Sequence, residues 1–210
     1  MRITLLLLTF LCASIAHSQC LKADIIFLLD WSGSEDSNRV YIPTAAYDFV
    51  NTLQLGPSSV KVGIIPFNSD PLMDYCLHPT DDKGTLNSLF FTMLTLHPFG
   101  STSFPSSFEL ADKYFEQSEA ERKEPAMRIL IFISDGDEYD DSRDFTLMHS
   151  MLMKQKGTLI WCISTPNAYR MKDDERKHMR LICSQPYQSF FIEEYYADLR
   201  EELLRLNVCP

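Results

Sequence analysis

Apolar positions recur along this chain in two rhythms, and their alternation predicts the fold before any chemistry is considered. Ala23 to Asp30, Val60 to Phe67, Met127 to Ser134 and Thr158 to Ser164 are apolar on both faces of an extended chain. Runs of that length with no polar face are what buried parallel strands require. Between them the period lengthens to that of a helix. Thr44 to Leu53 places Ala45, Ala46, Phe49, Val50 and Leu53 on one stripe, with Pro43 suited to the first helical position. Asp82 to Leu96 turns Leu86, Leu89, Phe90, Met93 and Leu94 inward, and further helices are expected over Phe104–Gln117, Ser142–Lys156 (capped by Gly157), Lys172–Cys183 and Tyr195–Leu206. Two weaker strands complete the pattern. Leu72 to Leu77 follows the Asp70-Pro71 turn and must return antiparallel, because a parallel partner needs a crossover of about a dozen residues. Gln188 to Ile192 is the other.

This order predicts an α/β domain: a doubly wound, mostly parallel six-stranded sheet with one antiparallel edge strand and helices on both faces. Binding sites in such folds form beyond the carboxyl ends of strands, where the strand order switches direction. Asp30 and Asp135 both stand at ends of that kind.

The first residues are outside this pattern. Met1-Arg2 is a short positive start, Ile3 to Cys12 is almost wholly apolar, and Ala16-His17-Ser18 has the small-x-small form of a cleavage site. Residues 1–18 are therefore expected to be a secretory signal peptide, leaving 19–210 as a single domain. The apolar run is shorter than the roughly 20 residues of a membrane span. Gln19 before Cys20 argues against lipidation, which needs a small residue there. Without the leader 192 residues remain, enough to bury a core unaided. The formal charge is −10, or −11 once Arg2 is removed. An acidic chain with no Lys/Arg cluster offers no footprint for nucleic acid or anionic lipid. No second apolar run reaches membrane length, so the expected location is secreted, at a cell surface, or periplasmic if the source is bacterial.

Export changes the meaning of the remaining cysteines, Cys20, Cys76, Cys162, Cys183 and Cys209, some of which should pair. Cys20 precedes the first strand and Cys209 is next to the last residue, so a bond between them would tie the termini together. So large a loop is worth roughly 5 kcal/mol in the chain-entropy model. Cys162 and Cys183 are the next candidates. Cys76 is then left over, free to link two chains as a disulfide dimer. The competing reading keeps Cys76, Cys162 and Cys183 as ordinary buried thiols.

The chemistry gathers at Asp30-Trp31-Ser32-Gly33-Ser34. In extended backbone, positions i, i+2 and i+4 project to one side, so Asp30, Ser32 and Ser34 can converge, and Gly33 permits a tight turn between the serines. Thr102 can add a hydroxyl and Asp135 a second carboxylate. All are hard oxygen donors, which suit Mg²⁺ rather than zinc with its preference for His and Cys. Asp and Ser after a strand are also ordinary turn formers and helix caps, and Asp30-x-Ser32-x-Ser34 alone does not separate the two readings.

Together with the Gly100-Ser101-Thr102 loop and Ile133-Ser134-Asp135-Gly136, that stretch resembles the von Willebrand factor type A domain from Cys20 to Cys209. The resemblance implies a metal-ion-dependent adhesion site in which Ser32, Ser34 and Thr102 are hydroxyl ligands and Asp30 and Asp135 act largely through ordered waters. It implies Mg²⁺, with Mn²⁺ or Ca²⁺ as substitutes, and a protein partner whose Asp or Glu takes the open position. Ser101 departs from the family's second glycine, and Pro43 is expected to delay the first helix. Trp31 puts a large ring beside the site, either as an exposed contact for a partner or packed under a neighbouring loop.

Other groups carry weaker signals. Asp137-Glu138-Tyr139-Asp140-Asp141 is read as a solvated acidic loop, with a second, calcium-like site as its alternative. His78, His97, His149 and His178 show no metal spacing. A Mg²⁺-dependent phosphoryl-transfer enzyme would need an aspartate where Ser32 stands, and neither a phosphate loop nor a nucleophile elbow is present. The expectation is a non-enzymatic binding module, with a structural subunit of a surface assembly as the alternative.

Overall fold

A computed structural model describes residues 21–122, 124–165, 172–185, 192, 193, 201, 203, 205, 206 and 208. The strands are β1 (Ala23–Asp30), β2 (Val60–Phe67), β3 (Leu77–Thr80), β4 (Met127–Ser134), β5 (Leu159–Ser164) and β6 (Ile192–Glu193). They form one six-stranded sheet in the order β3-β2-β1-β4-β5-β6, with β3 antiparallel on an edge and the rest parallel. The helices are α1 (Tyr41–Asn51), α2 (Lys83–Met93), α3 (Pro105–Glu121), α4 (Asp140–Gln155) and α5 (Asp173–Ile182). Glu201, Leu203 and Arg205 are helical within the closing segment. The leader, Cys20, Cys209, positions 188–191 and most of the closing helix lie outside the described residues.

Strand periodicity divides the core into two layers. Ile25, Phe27 and Leu29 of β1 join Val62, Ile64, Ile129, Ile131, Ile133 and Trp161 in a cluster covered by Ala46, Phe49 and Val50 of α1 and Leu86, Phe90 and Met93 of α2. Ile26 and Leu28 point the other way, to Phe67, Leu130, Phe132 and Ile160 under Phe108, Ala111 and Phe115 of α3 and Met179 and Ile182 of α5. Both faces of β1 are thus apolar because both carry helices.

Several boundaries differ from expectation. The helix expected over Phe104–Gln117 runs on to Glu121, the one expected over Ser142–Lys156 starts at Asp140, and the one expected over Asp82–Leu96 stops at Met93. The third strand is Leu77–Thr80, not Leu72–Leu77. Met73–Tyr75 is a 3-10 turn, and Pro79 is tolerated because β3 is an edge. The first helix starts at Tyr41, ahead of Pro43. Pro43 is still in the first turn, where a missing N–H breaks no helical bond. The segment before it, Gly33–Asn38, is a separate 3-10 turn.

The chain leaves β1 toward β2 on one side, and β4 lies on the other. The switch point therefore falls between the carboxyl ends of β1 and β4, where Leu29 pairs with Ile133. Asp30 and Asp135 both emerge there.

Candidate metal centre

Asp30 ends β1 fully buried. One of its oxygens accepts the Ser32 backbone N–H at 2.9 Å, and the other accepts the Ser134 hydroxyl at 2.6 Å. The Ser134 hydroxyl oxygen also accepts the Gly136 N–H at 2.9 Å, so one side chain fixes Asp30 and starts the loop after β4. Asp135 accepts the Asp137 N–H at 3.2 Å. The Ser32 and Ser34 hydroxyls lie 3.1 Å apart, with Ser32 buried and Ser34 exposed.

The Thr102 loop is laced to the same edge. Gly33 N–H donates to Gly100 O at 3.0 Å, and Phe99 N–H to Trp31 O at 3.1 Å. A Cβ on Gly33 would stand 3.2 Å from Gly100 O, closer than an ordinary contact, so a side chain there would push the two loops slightly apart. Gly100 takes φ +78°, while Asn68 holds the loop by donating its side-chain Nδ2 to Phe99 O (3.1 Å) and by accepting Ser103 N–H at its backbone carbonyl (3.0 Å). Thr102 is brought beside Ser34 in an open cleft of about 250 Å³ that also includes Gly100, Ser101, Asp137, Glu138 and Tyr139.

Sequence reasoning missed one member. Glu35 is fully buried, and a carboxylate oxygen from each of Asp30, Glu35 and Asp135 lies within 4.8 Å of the other two. Among the described residues, no ion pair reaches any of the three. Burial pushes the Asp30 carboxyl up to about 7, and the neighbouring Asp135 charge adds to this. Burial and the charges of Asp30 and Asp135 push Glu35 up to about 8. Burial also raises Asp135, against hydrogen bonds from Asp137 and Ser34 that lower it. Buried carboxylates in this state must either hold protons or take a cation. With only oxygen donors around them, the set fits a hard divalent ion.

Other expectations are corrected. Trp31 has no exposed surface and belongs to the core cluster with Ile42 and Phe49. It cannot be an exposed partner contact. Glu138 is not a solvated member of the acidic loop. Its carboxylate accepts Phe104 N–H (3.1 Å), the Ser142 hydroxyl (2.8 Å) and the Thr146 hydroxyl (2.5 Å), and sits 2.9 Å from His178 Nε2. It locks the loop after β4 to α3, α4 and α5, while Asp137, Asp140 and Asp141 stay exposed. The pairing of Cys162 with Cys183, by contrast, is as expected: the two form a disulfide with Cα atoms 5.9 Å apart. Cys76 is a half-buried free thiol that donates to Leu72 O at 3.4 Å, and burial raises it to about 12. The thiolate needed for disulfide exchange between chains is disfavoured there. No helix among the described residues is long and apolar enough to cross a membrane.

Residues 24–204 match the family model of the von Willebrand factor type A domain. The human collagen alpha-6(VI) chain is 24% identical over 192 residues, which cover 90% of this chain and 8% of the relative. The chain thus spans less than a tenth of that relative's length. The manganese-loaded TRAP protein of Plasmodium vivax superposes with a TM-score of 0.69 at 17% identity, over 91% of this chain and 76% of the other. Proximal thread matrix protein 1 from the mussel byssus, solved with a zinc-occupied MIDAS motif, gives 0.62 at 14% identity over 90% and 48%.

Proposed function

The chain belongs to the von Willebrand factor type A domain family, and we propose that it works as an exported protein-binding module operated by a divalent cation. One observation carries the reading: three buried carboxylates converge at the switch point of the sheet, and among the described residues no cationic side chain pairs with any of them. Ser32, Ser34 and Thr102 would supply hydroxyl oxygens to the ion, and Asp30 and Asp135 its charge balance. Mg²⁺ is the expected ion, with Mn²⁺ or Ca²⁺ as substitutes, since every donor is a hard oxygen. When bound, the cation supplies an electrophilic point that an Asp or Glu carboxylate of a partner protein can occupy. The Gly100–Thr102 loop forms one wall of the approach, and Tyr139, whose hydroxyl donates to Ser101 Oγ at 2.6 Å, braces it.

This reading gives the site no catalytic duty. It takes residues 1–18 as a removed leader and 19–210 as one domain. The disulfide between Cys162 and Cys183 supports an oxidising destination. The isolated parallel bridge between Leu21 and Val208 supports the Cys20–Cys209 pair, because it joins the neighbours of both cysteines.

A capture experiment tests the function. The tagged chain is exposed to extracellular proteins in Mg²⁺ or in EDTA, alongside Asp30→Ala. Partners should be retained only by the wild type in Mg²⁺. Specific partners held equally well in EDTA would overturn the reading.

A further inference from the structure

Glu35 follows directly on the last hydroxyl of the first loop, and the 3-10 turn Gly33–Asn38 rolls its side chain back under the site. Both carboxylate oxygens are held. Oε2 accepts from Asn38 Nδ2 at 2.6 Å, and Oε1 from Thr165 Oγ1 at 2.7 Å. Thr165 is itself anchored by donating its N–H to Ser134 O at 3.2 Å. The carboxylate is thus aimed by the ends of β4 and β5 as well as by its own turn. The 4.8 Å limit on its separation from Asp30 and Asp135 has a direct meaning. Metal–oxygen distances of about 2.0–2.6 Å put opposite ligands of a hard cation about 4–5 Å apart. Three carboxylates this close would share one divalent ion, directly or through its bound waters.

We propose that Glu35 is a specificity-determining residue of this cation site: a third carboxylate, positioned by Asn38 and Thr165, that raises divalent affinity and rejects monovalent ions. The inference rests on the metal-binding reading given above. Charge balance decides the selectivity. Asp30 and Asp135 alone would neutralise a divalent ion and leave a monovalent one a single charge short. With Glu35 ionised, a monovalent ion leaves two negative charges unbalanced in a buried volume, and a divalent ion leaves one. Buried unbalanced charge is strongly unfavourable, so each added carboxylate widens the gap between the two classes of ion. The donors from Asn38 and Thr165 stabilise the remaining charge and keep Glu35 from swinging out to solvent.

The test is calorimetric titration of the full chain with Mg²⁺, Mn²⁺ and Ca²⁺, with and without excess Na⁺, comparing wild type, Glu35→Gln, Thr165→Val and Asp30→Asn. Glu35→Gln keeps the shape and one acceptor oxygen. Its divalent affinity should fall about 10–100-fold, and Na⁺ should compete more effectively than in wild type. Measured above pH 8, where Glu35 is ionised, its metal-free melting temperature should not drop, since a buried charge has been removed. Thr165→Val should show a smaller loss in the same direction. A folded Glu35→Gln with wild-type affinity overturns the proposal and leaves Glu35 a structural carboxylic acid. If Glu35→Gln does not fold, unchanged affinity in Thr165→Val overturns it. If Asp30→Asn loses the ion while Glu35→Gln keeps it, the general reading stands and only the role of Glu35 falls. A wild type that binds no divalent ion overturns both.

Discussion

Asp24 and Asp30 mark the two ends of one buried strand, and the protein treats them in opposite ways. Both are nearly inaccessible, at 3% and 0% exposure. Asp24 receives Arg122 through Nε at 2.9 Å and Nη2 at 2.6 Å, and the guanidinium is itself buried. Its remaining donors reach Pro57 O and Ala23 O, so this end of the sheet is closed by a cation that the chain carries. Among the described residues Asp30 has no such partner, and it stands beside two further carboxylates. A fold can bury an acid at either end of a strand, but it leaves the charge unbalanced only where something else balances it. The closed end serves stability, and under the proposed function the open end is the one that binds.

The largest expected effect breaks the closed end. Arg122→Met leaves Asp24 buried and unpaired, which should cost about 3–5 kcal/mol of unfolding free energy, read from the urea midpoint. Asp30→Asn in EDTA at pH 8 should cost nothing, and should stabilise if the charges at the open end are as unfavourable as their burial implies. Equal losses in the two variants would erase the distinction between the ends.

A pH series sharpens the same contrast. The folded-state values of Asp30 and Glu35 lie near 7 and 8, above the usual carboxylate range near 4. The folded chain therefore holds more protons than the unfolded one between those limits. Stability from these groups is full below about pH 4 and is lost as the pH rises through 7 to 8. In EDTA the urea midpoint should fall across that window, by the equivalent of a few kcal/mol. A divalent ion at about a hundred times its dissociation constant should restore about 2.7 kcal/mol at pH 8, and should restore none in Asp30→Asn. A metal-free midpoint that is flat or rising between pH 4 and 8 would show that the three carboxylates do not strain the fold.

Much of this contrast could be read from residue patterns. The spans of β1, β2 and β4 follow from runs that are apolar on both faces, and Asp30 and Asp135 follow from where those runs stop. Trp31 was legible too. It shares the parity of Ile25, Phe27 and Leu29, so the strand's period already assigns it to their buried layer. Its neighbours Asp30 and Ser32 suggested exposure because a site was expected there. Glu35 was not legible. Its inward aim depends on a 3-10 turn whose sequence, Gly33 to Asn38, is polar throughout and reads as solvated loop. Thr165 and Asn38, which hold it, have no spacing that announces the contact. The burial of Glu138 was hidden in the same way, since its partners come from three places in the chain: Phe104 before α3, Ser142 and Thr146 on α4, and His178 on α5.

The smallest effect separates the two ends by function rather than by stability. Gly100 and Gly157 share a left-handed backbone, with φ of +78° and +86°. Gly157 turns the chain from α4 into β5 at the end remote from the site, and an added Cβ there meets nothing within 4 Å. At Gly100 the added carbon would lie 3.3 Å from Asn68 Nδ2, in the loop that carries Thr102. Alanine at either position should cost about 1–2 kcal/mol from the backbone conformation alone. Gly157→Ala should leave divalent affinity unchanged in the same calorimetric titration. Gly100→Ala pushes against the amide that holds Phe99 O, displaces the Thr102 hydroxyl, and should weaken the ion several-fold at matched stability. Parallel loss of affinity in both variants would mean that general loosening governs the site, and not the geometry of its own loop.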